Sequence, residues 1–543
     1  MNALRHAART PRSPRHPAGS TGLPQRRGTA AASAVFAVAS LGLGVPAGAA
    51  LAAENPPASA DLVATGRCLA AAAHCSACHT REPARPYAGN VPIRSSFGTM
   101  YASNITTDRA TGIGDWTLEQ FAGALRNGKG RHGEPLYPAM PYTELTKTGD
   151  ADVAALWAYF RTVPPVSEKT NRNAMKFPFN IRTGVTAWQA MFFRPGRYVA
   201  DGSQTAEWNR GAYLVQGLGH CSACHSPRTA AMSYQKGRAL EGATGQDAWY
   251  APDISGGRWS GIRDWSVEQV QTYLRSGHND KNVAAVGPML QTIAQGTSLL
   301  AESDLKAMAV YLKNQPAPER DAARSAAAPL DSARREAGAQ LYAENCASCH
   351  GADGRGADGI APALAGNSAL SGKGVENIVH SVILGFSPQG RWGGMPSFVR
   401  ALSSREIADV SNWAATAWGG TPASPASQSS VDHLRYALEP EIDPKRQQAL
   451  VCPNVAADAI DPTTVSAVGA LVAKPAAAIA APSGLLAGYR QRHPGVLPST
   501  AVTNLSALYC RRLMQTDGFD FTEKQSRVVA FTARLAAEGA RRR

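Results

Sequence analysis

Beyond its first 53 residues this 543-residue chain has no run of about 18 uninterrupted apolar residues. The nearest stretch, Val465 to Gly488, is broken by Ser466, Lys474, Pro475 and Pro482. No membrane-crossing helix is therefore expected after the N-terminal segment, and membrane attachment should be peripheral or through a partner. No Gly-X-Gly-X-X-Gly loop follows a strand pattern, which removes the usual dinucleotide site. Acids are absent from the first 53 residues, which carry six arginines. An apolar stretch, 30–53, follows and ends in the small residues Ala49-Ala50-Leu51-Ala52-Ala53. Residues 1–53 thus predict an export signal cut near Glu54. Arg26-Arg27 is followed by Gly28-Thr29-Ala30, a poor twin-arginine match, so general secretion is favoured over it and over an uncleaved anchor. The net charge of +14 falls to about +8 without those six arginines, and the remaining basic residues are scattered. Nothing in that pattern points to nucleic acid.

What the chain does hold is three Cys-X-X-Cys-His pentapeptides: Cys75-Ser-Ala-Cys78-His79, Cys221-Ser-Ala-Cys224-His225 and Cys346-Ala-Ser-Cys349-His350. This is the attachment signal of a c-type haem: two thiols for its two vinyl groups, then a proximal histidine for the iron. A single copy also suits a zinc or thiol-redox site, but three copies at domain-sized intervals predict three covalently bound haem c groups. Six of the nine cysteines are so used, leaving Cys68, Cys452 and Cys510. Cys68 is expected to be a buried thiol on the helix before Cys75. In an oxidising compartment Cys452 and Cys510 are candidates for pairing, a connectivity that sequence does not establish.

The first two haem segments repeat each other at an offset of 146 to 149 residues. Gly112-Ile-Gly-Asp-Trp-Thr-Leu-Glu-Gln-Phe matches Gly261-Ile-Arg-Asp-Trp-Ser-Val-Glu-Gln-Val, and Tyr101-Ala-Ser-Asn-Ile-Thr matches Tyr250-Ala-Pro-Asp-Ile-Ser. Thr117 and Ser266 read as helix N-caps, with the helices closing at Gly128 and Gly277. Each unit also ends in a helical pattern: Ala151–Phe160, Asp304–Lys313 and Ser404–Trp418. No convincing strand alternation is present. The expected fold is mainly α, with three tandem cytochrome c-type domains and a C-terminal helical appendage. The boundaries read as 54–172, 196–318 and 319–420, with a strap at 173–195 and a linker and appendage of unknown role at 421–543.

A sixth iron ligand is sought in each unit. Met140 in Pro138-Ala-Met140-Pro141 lies 61 residues beyond His79. Met289 in Gly287-Pro288-Met289 lies 64 beyond His225, and Met395 in Gly393-Gly394-Met395-Pro396 lies 45 beyond His350. A neighbouring proline stiffens a loop that must hold sulfur against iron. Met100, Met232 and Met308 read as core fillers. In the appendage, a closing helix near Asp520 shows Val528, Phe531 and Leu535 on one face. Arg527, Arg534 and Arg541-Arg542-Arg543 supply charge for an anionic membrane surface or a partner, with packing onto the third unit as the alternative.

With those residues in hand, the chain resembles the three-haem cytochrome c subunit of bacterial membrane-bound dehydrogenases for alcohols, gluconate or aldehydes. The resemblance runs from Gly66 to Gly420. Its carriers include Phe97-Gly-Thr-Met-Tyr-Ala-Ser-Asn-Ile-Thr, Leu136-Tyr-Pro-Ala-Met-Pro-Tyr, Arg210-Gly-Ala-Tyr-Leu-Val-Gln-Gly-Leu-Gly-His-Cys and Pro362-Ala-Leu-Ala-Gly-Asn367. Cys68 stands where that family has tyrosine, and the tail from Val431 extends beyond the match. The resemblance implies a periplasmic relay, peripheral to the inner membrane, with no substrate-oxidising residues of its own. Its donor would be a separate dehydrogenase subunit of flavin, quinoprotein or molybdenum type. Its acceptor would be ubiquinone or a downstream cytochrome or oxidase. A free-standing electron shuttle and a multihaem peroxidase are the alternatives, the latter requiring one iron with an open sixth site.

Overall fold

The computed structural model describes residues 59–245, 248–316, 330–356, 361–370, 375–387, 392–419, 424–442, 452, 460–474 and 484–519, with scattered residues from 523 to 538. The segment 1–53, expected to be an export signal, and residues 317–329, around the expected boundary of the second and third units, lie outside them.

In the first unit, α1 (Ala60–Ala72) starts at Ser59, whose hydroxyl accepts from the Leu62 N–H. It ends just before α2 (Cys75–His79), which carries the first pentapeptide. Strands β1 (Pro92–Ser95) and β2 (Gly98–Tyr101) pair antiparallel, with Pro92 opposite Tyr101. Helix α3 (Leu118–Asn127) opens on a full capping box between Thr117 and Gln120. It closes at Gly128, whose φ of 57° is a left-handed stop that glycine adopts without strain. Helices α4 (Tyr142–Leu145) and α5 (Asp150–Phe160) follow. The strap adds β3 (Ala174–Met175), paired with β2, and α6 (Thr183–Phe192). This three-stranded sheet was not anticipated, because strands of four, four and two residues are too short to display alternation.

The second unit repeats the plan. Helix α7 (Ala206–Tyr213) leads to α8 (Ser222–His225), then to the pair β4 (Ala243–Thr244) and β5 (Tyr250–Ala251). Helix α9 (Val267–Ser276) has the same capping box, Ser266 with Gln269, and the same left-handed stop at Gly277. Helices α10 (Gly287–Gln295) and α11 (Glu302–Lys313) complete it. The third unit comprises α12 (Ser332–Asn345), α13 (Ala347–His350), α14 (Glu376–Leu384) and α15 (Ser404–Ala414), the last continued by a π turn, Ala415–Gly419.

Each unit closes by the same helix crossing. A Cβ added to Gly66 in α1 would overlap the Ala155 carbonyl of α5 and lie 2.7 Å from Tyr159 Cβ. Gly211 in α7 meets the Ala307 carbonyl of α11, 2.8 Å from Tyr311 Cβ. Gly338 in α12 meets the Asp409 carbonyl of α15, 2.7 Å from Trp413 Cβ. Only glycine lets the two backbones come this close, and an aromatic one turn on covers the gap. Arg210 clamps the second crossing to Asp304 through two 2.8 Å bonds, and Arg334 reaches Asp409 at 2.6 Å in the third. The first two units share one core, in which Leu156, Phe160, Leu218 and Leu305 are fully buried, each such side chain contributing on the order of 2 kcal/mol.

Within 421–543, read as linker and appendage, α16 (Gln428–Leu438) instead belongs to the third unit. Asn412 of α15 holds the Ala426 backbone through bonds of 2.9 and 2.8 Å, so the third unit's core continues through Val431 and Leu438. Beyond it, α17 (Pro462–Val472), α18 (Leu485–Arg492) and α19 (Pro498–Met514) build a separate core around Tyr489, Leu505, Tyr509 and Phe531. Cys452 and Cys510 form a disulfide that closes a separation of 58 residues. Val528, Phe531 and Leu535, read as the apolar face of a helix for a membrane, a partner or the third unit, are buried in the appendage's own core. Arg527 does not serve a surface: it is 4 % exposed and donates to Glu523 and to the Lys474 carbonyl. No described helix is long and apolar enough to cross a membrane.

Candidate haem sites

Each pentapeptide histidine makes the same second bond. His79 Nδ1 lies 2.7 Å from the Ser103 carbonyl, His225 Nδ1 2.6 Å from that of Pro252, and His350 Nδ1 3.0 Å from that of Pro362. A carbonyl only accepts, so Nδ1 bears the proton and Nε2 presents its lone pair, the tautomer an iron ligand needs. Burial holds all three imidazoles below the usual histidine range, against the opposing pull of the carbonyl bond, and so keeps them neutral. In the first two units the carbonyl is aimed by the next residue. Asn104 Oδ1 accepts from the Thr106 N–H at 2.9 Å and its hydroxyl at 2.7 Å. Asp253 does the same with Ser255, at 2.9 and 2.7 Å.

The third unit brings its candidates together around one cavity. Cys346, Cys349, His350 and Met395 line a space of about 660 Å³, whose other walls include Tyr342, Leu364, Val382, Trp392 and Phe398. Met395 is pinned by a two-way backbone bridge to Phe386, at 2.8 and 2.9 Å. A mostly apolar slot with two thiols and an imidazole from one short helix, and a soft thioether from another loop, fits a haem. In the first unit Cys75 and Met140 pack against the shared core, as do Cys221 and Met289 in the second. Met140 sits in a tight turn, its N–H bonded to the Tyr137 carbonyl at 3.1 Å. Met289 stands instead in the first turn of α10, directly after Pro288, a position where proline fits a helix.

Comparison with known proteins bears on this arrangement. A family model described as cytochrome c oxidase, cbb3-type, subunit III matches residues 333–413. The chain is 36 % identical over 410 residues to the cytochrome c subunit of the alcohol dehydrogenase (quinone) of Gluconobacter oxydans, covering 72 % of this chain and 85 % of that one. It is 33 % identical over 422 residues to the gluconate 2-dehydrogenase cytochrome c subunit of Pantoea cypripedii, covering 73 % and 94 %. The chain belongs to the family of dehydrogenase cytochrome c subunits. A nicotinate dehydrogenase subunit of Pseudomonas putida is 38 % identical over 385 residues, 69 % of this chain, which thereby spans 32 % of that larger protein.

Membership of this family gives the contacts between units a meaning that sequence reading missed. His74 and His220 stand immediately before the first cysteine of their pentapeptides, and their rings meet edge to face at 5.4 Å. The exchange is reciprocal: His74 Nε2 bonds the Thr292 carbonyl of α10 at 3.0 Å, and His220 Nε2 bonds the Ala73 carbonyl at 3.3 Å. The second and third units meet through Asn377, which holds both the N–H and the carbonyl of Tyr250 at 2.8 Å, and through Trp249 lying on His380 at 4.6 Å. Ala284, Ala285 and Val286, just upstream of Met289, line the third cavity. The doubled His-Cys at 74–75 and 220–221 was the one sequence signal for any of this. Cys68, expected to be buried, is exposed on α1. Its side of α1 faces away from α5, the helix against which Gly66 packs.

Proposed function

We propose that the chain is a periplasmic electron-transfer subunit with three tandem cytochrome c-type domains, one haem in each. Cys75 and Cys78, Cys221 and Cys224, and Cys346 and Cys349 would carry the thioether links. His79, His225 and His350 would be the proximal ligands, and Met140, Met289 and Met395 the distal ones. A haem held by these residues would supply one-electron ferrous–ferric chemistry, with thioether ligation favouring the ferrous state. The protein's part is to fix the imidazole tautomer, exclude water and keep the three sites in contact.

The observation that carries this reading is the Nδ1–carbonyl bond made three times on three separate pentapeptides. The joined units support a relay over three independent centres: the first two pentapeptides abut through His74 and His220, and the wall leading to Met289 is also a wall of the third cavity. By likeness to subunits of alcohol, gluconate and nicotinate dehydrogenases, the donor is a separate catalytic subunit, of flavin, quinoprotein or molybdenum type. Ubiquinone or a downstream respiratory carrier is the acceptor. The leader at 1–53 accounts for export, and attachment to the inner membrane is peripheral. The purified chain should be reduced by dithionite yet show no turnover with alcohols, sugar acids or aldehydes plus an electron acceptor. Robust turnover by the homogeneous chain would overturn the proposal.

A further inference from the structure

Helix α19 (Pro498–Met514) is buried at ten consecutive positions, Ala501 to Cys510. A helix buried all round is sandwiched. One face, with Val502, Leu505, Tyr509 and Leu513, lies in the appendage's own core. An adjoining face carries the small residues Thr503, Ser506, Ala507 and Cys510, at the three- and four-residue spacing of one helical stripe, with Cys510 shared between it and the appendage's core. That stripe meets the third pentapeptide: Ala507 shares an apolar cluster with Ala361 and Cys349, and Ser506 and Cys510 line the third cavity. Val528 and Thr532 line it too, from the chain beyond α19.

Two of the appendage's cavity-lining side chains, Ser506 and Thr532, carry hydroxyls. Ser506 is 1 % exposed and Thr532 0 % exposed, and neither hydroxyl has a partner among the described residues. Buried hydroxyls are seldom left unpaired, so the content of the cavity must supply their acceptor, at the rim of the bound group or through a water held against it. We propose that the appendage is a wall of the third haem site. It closes the Cys349 edge with α19, turns Ser506 and Thr532 toward the bound group, and makes this haem an internal centre rather than an outlet to soluble carriers. The inference rests on the reading of Cys346, Cys349 and His350 as a haem site.

The test uses the exported full chain, the Ser506→Ala/Thr532→Val double variant, and a truncation after Ile442, which keeps α16 in the third unit's core and removes the appendage. Haem content is measured first; fewer than three haems on the full chain would sink the haem assignment itself, and with it the site this wall is said to close. Midpoint potentials and the displacement of the sulfur ligand by added imidazole are then recorded. The double variant keeps the packing volume, and one midpoint of three should shift while the other two stay in place. The truncated chain should let imidazole displace sulfur at one haem only, with that haem's midpoint lowered because water reaches its ferric form. Three unmoved midpoints in the double variant, or a shift spread over all three, overturn the proposal even if the truncated chain fails to fold. So does a truncated chain whose three haems keep their midpoints and resist imidazole.

Discussion

The glycine crossings give the sharpest energetic test of the fold. Gly338→Ala adds one methyl group where α12 touches α15. Its carbon would overlap the Asp409 carbonyl oxygen, and would lie 2.7 Å from Trp413 Cβ and 2.9 Å from the Asp409 carbonyl carbon. Ordinary carbon contacts begin near about 3.5 Å, so the helices must part by roughly 1 Å. Overpacking of this kind costs about 1–3 kcal/mol, while the better helix propensity of alanine returns about 1 kcal/mol. The net expectation is a loss of up to about 2 kcal/mol, read by denaturant unfolding, together with a weakened sulfur–iron band from the third unit alone. Gly123→Ala in α3 is the matched control. No atom lies within 4 Å of its added carbon, so the same substitution should stabilise by about 1 kcal/mol. A Gly338→Ala variant more stable than the wild type, or the same sign of change at both sites, would refute the crossing argument.

Two further outcomes follow from the appendage and from the junction of the first two units. Replacing Cys452 and Cys510 by serine opens a 58-residue loop, which should cost about 4 kcal/mol in the chain-entropy model and melt the appendage ahead of the rest; a single unchanged transition would contradict it. Burial, with the nearby His220 charge second, lowers His74 to about 4. The unfolded chain therefore takes up a proton near pH 6.5 that the native chain refuses until about pH 4, so stability falls as pH drops through that window and levels off below it. The span is worth up to about 3 kcal/mol. His74→Asn suits the left-handed backbone at this position (φ 51°) and should flatten the pH dependence of the melting temperature; an unchanged slope would assign it to other groups.

The pentapeptides, the N-caps at Thr117 and Ser266, their glycine stops and the helix at the end of each unit were all legible in the sequence, because each depends on side chains at fixed local spacing. The carbonyls that orient the histidines were not. A backbone oxygen belongs to any residue, and Ser103, Pro252 and Pro362 share no side-chain chemistry. The repeat did contain their neighbours, Asn104 and Asp253, but nothing local says that an Asx turn aims a carbonyl at an imidazole 24 residues away. The tail was misread where charge and burial part company. Arg527 looked like surface charge and is buried against Phe519, while the small residues of α19, which carry no sequence signal of their own, form the close contact with the third site. Asp461 shows why that appendage holds: bonds from Thr464, His493 and Arg492 outweigh burial and keep its carboxyl well below the usual range.

The most direct test of the central claim is the intact mass and pyridine haemochrome content of the exported chain. Three haems per polypeptide, with Cys75, Cys78, Cys221, Cys224, Cys346 and Cys349 all alkylation-resistant, is the result expected. Two haems, or a pair of these cysteines open to alkylation, would contradict it.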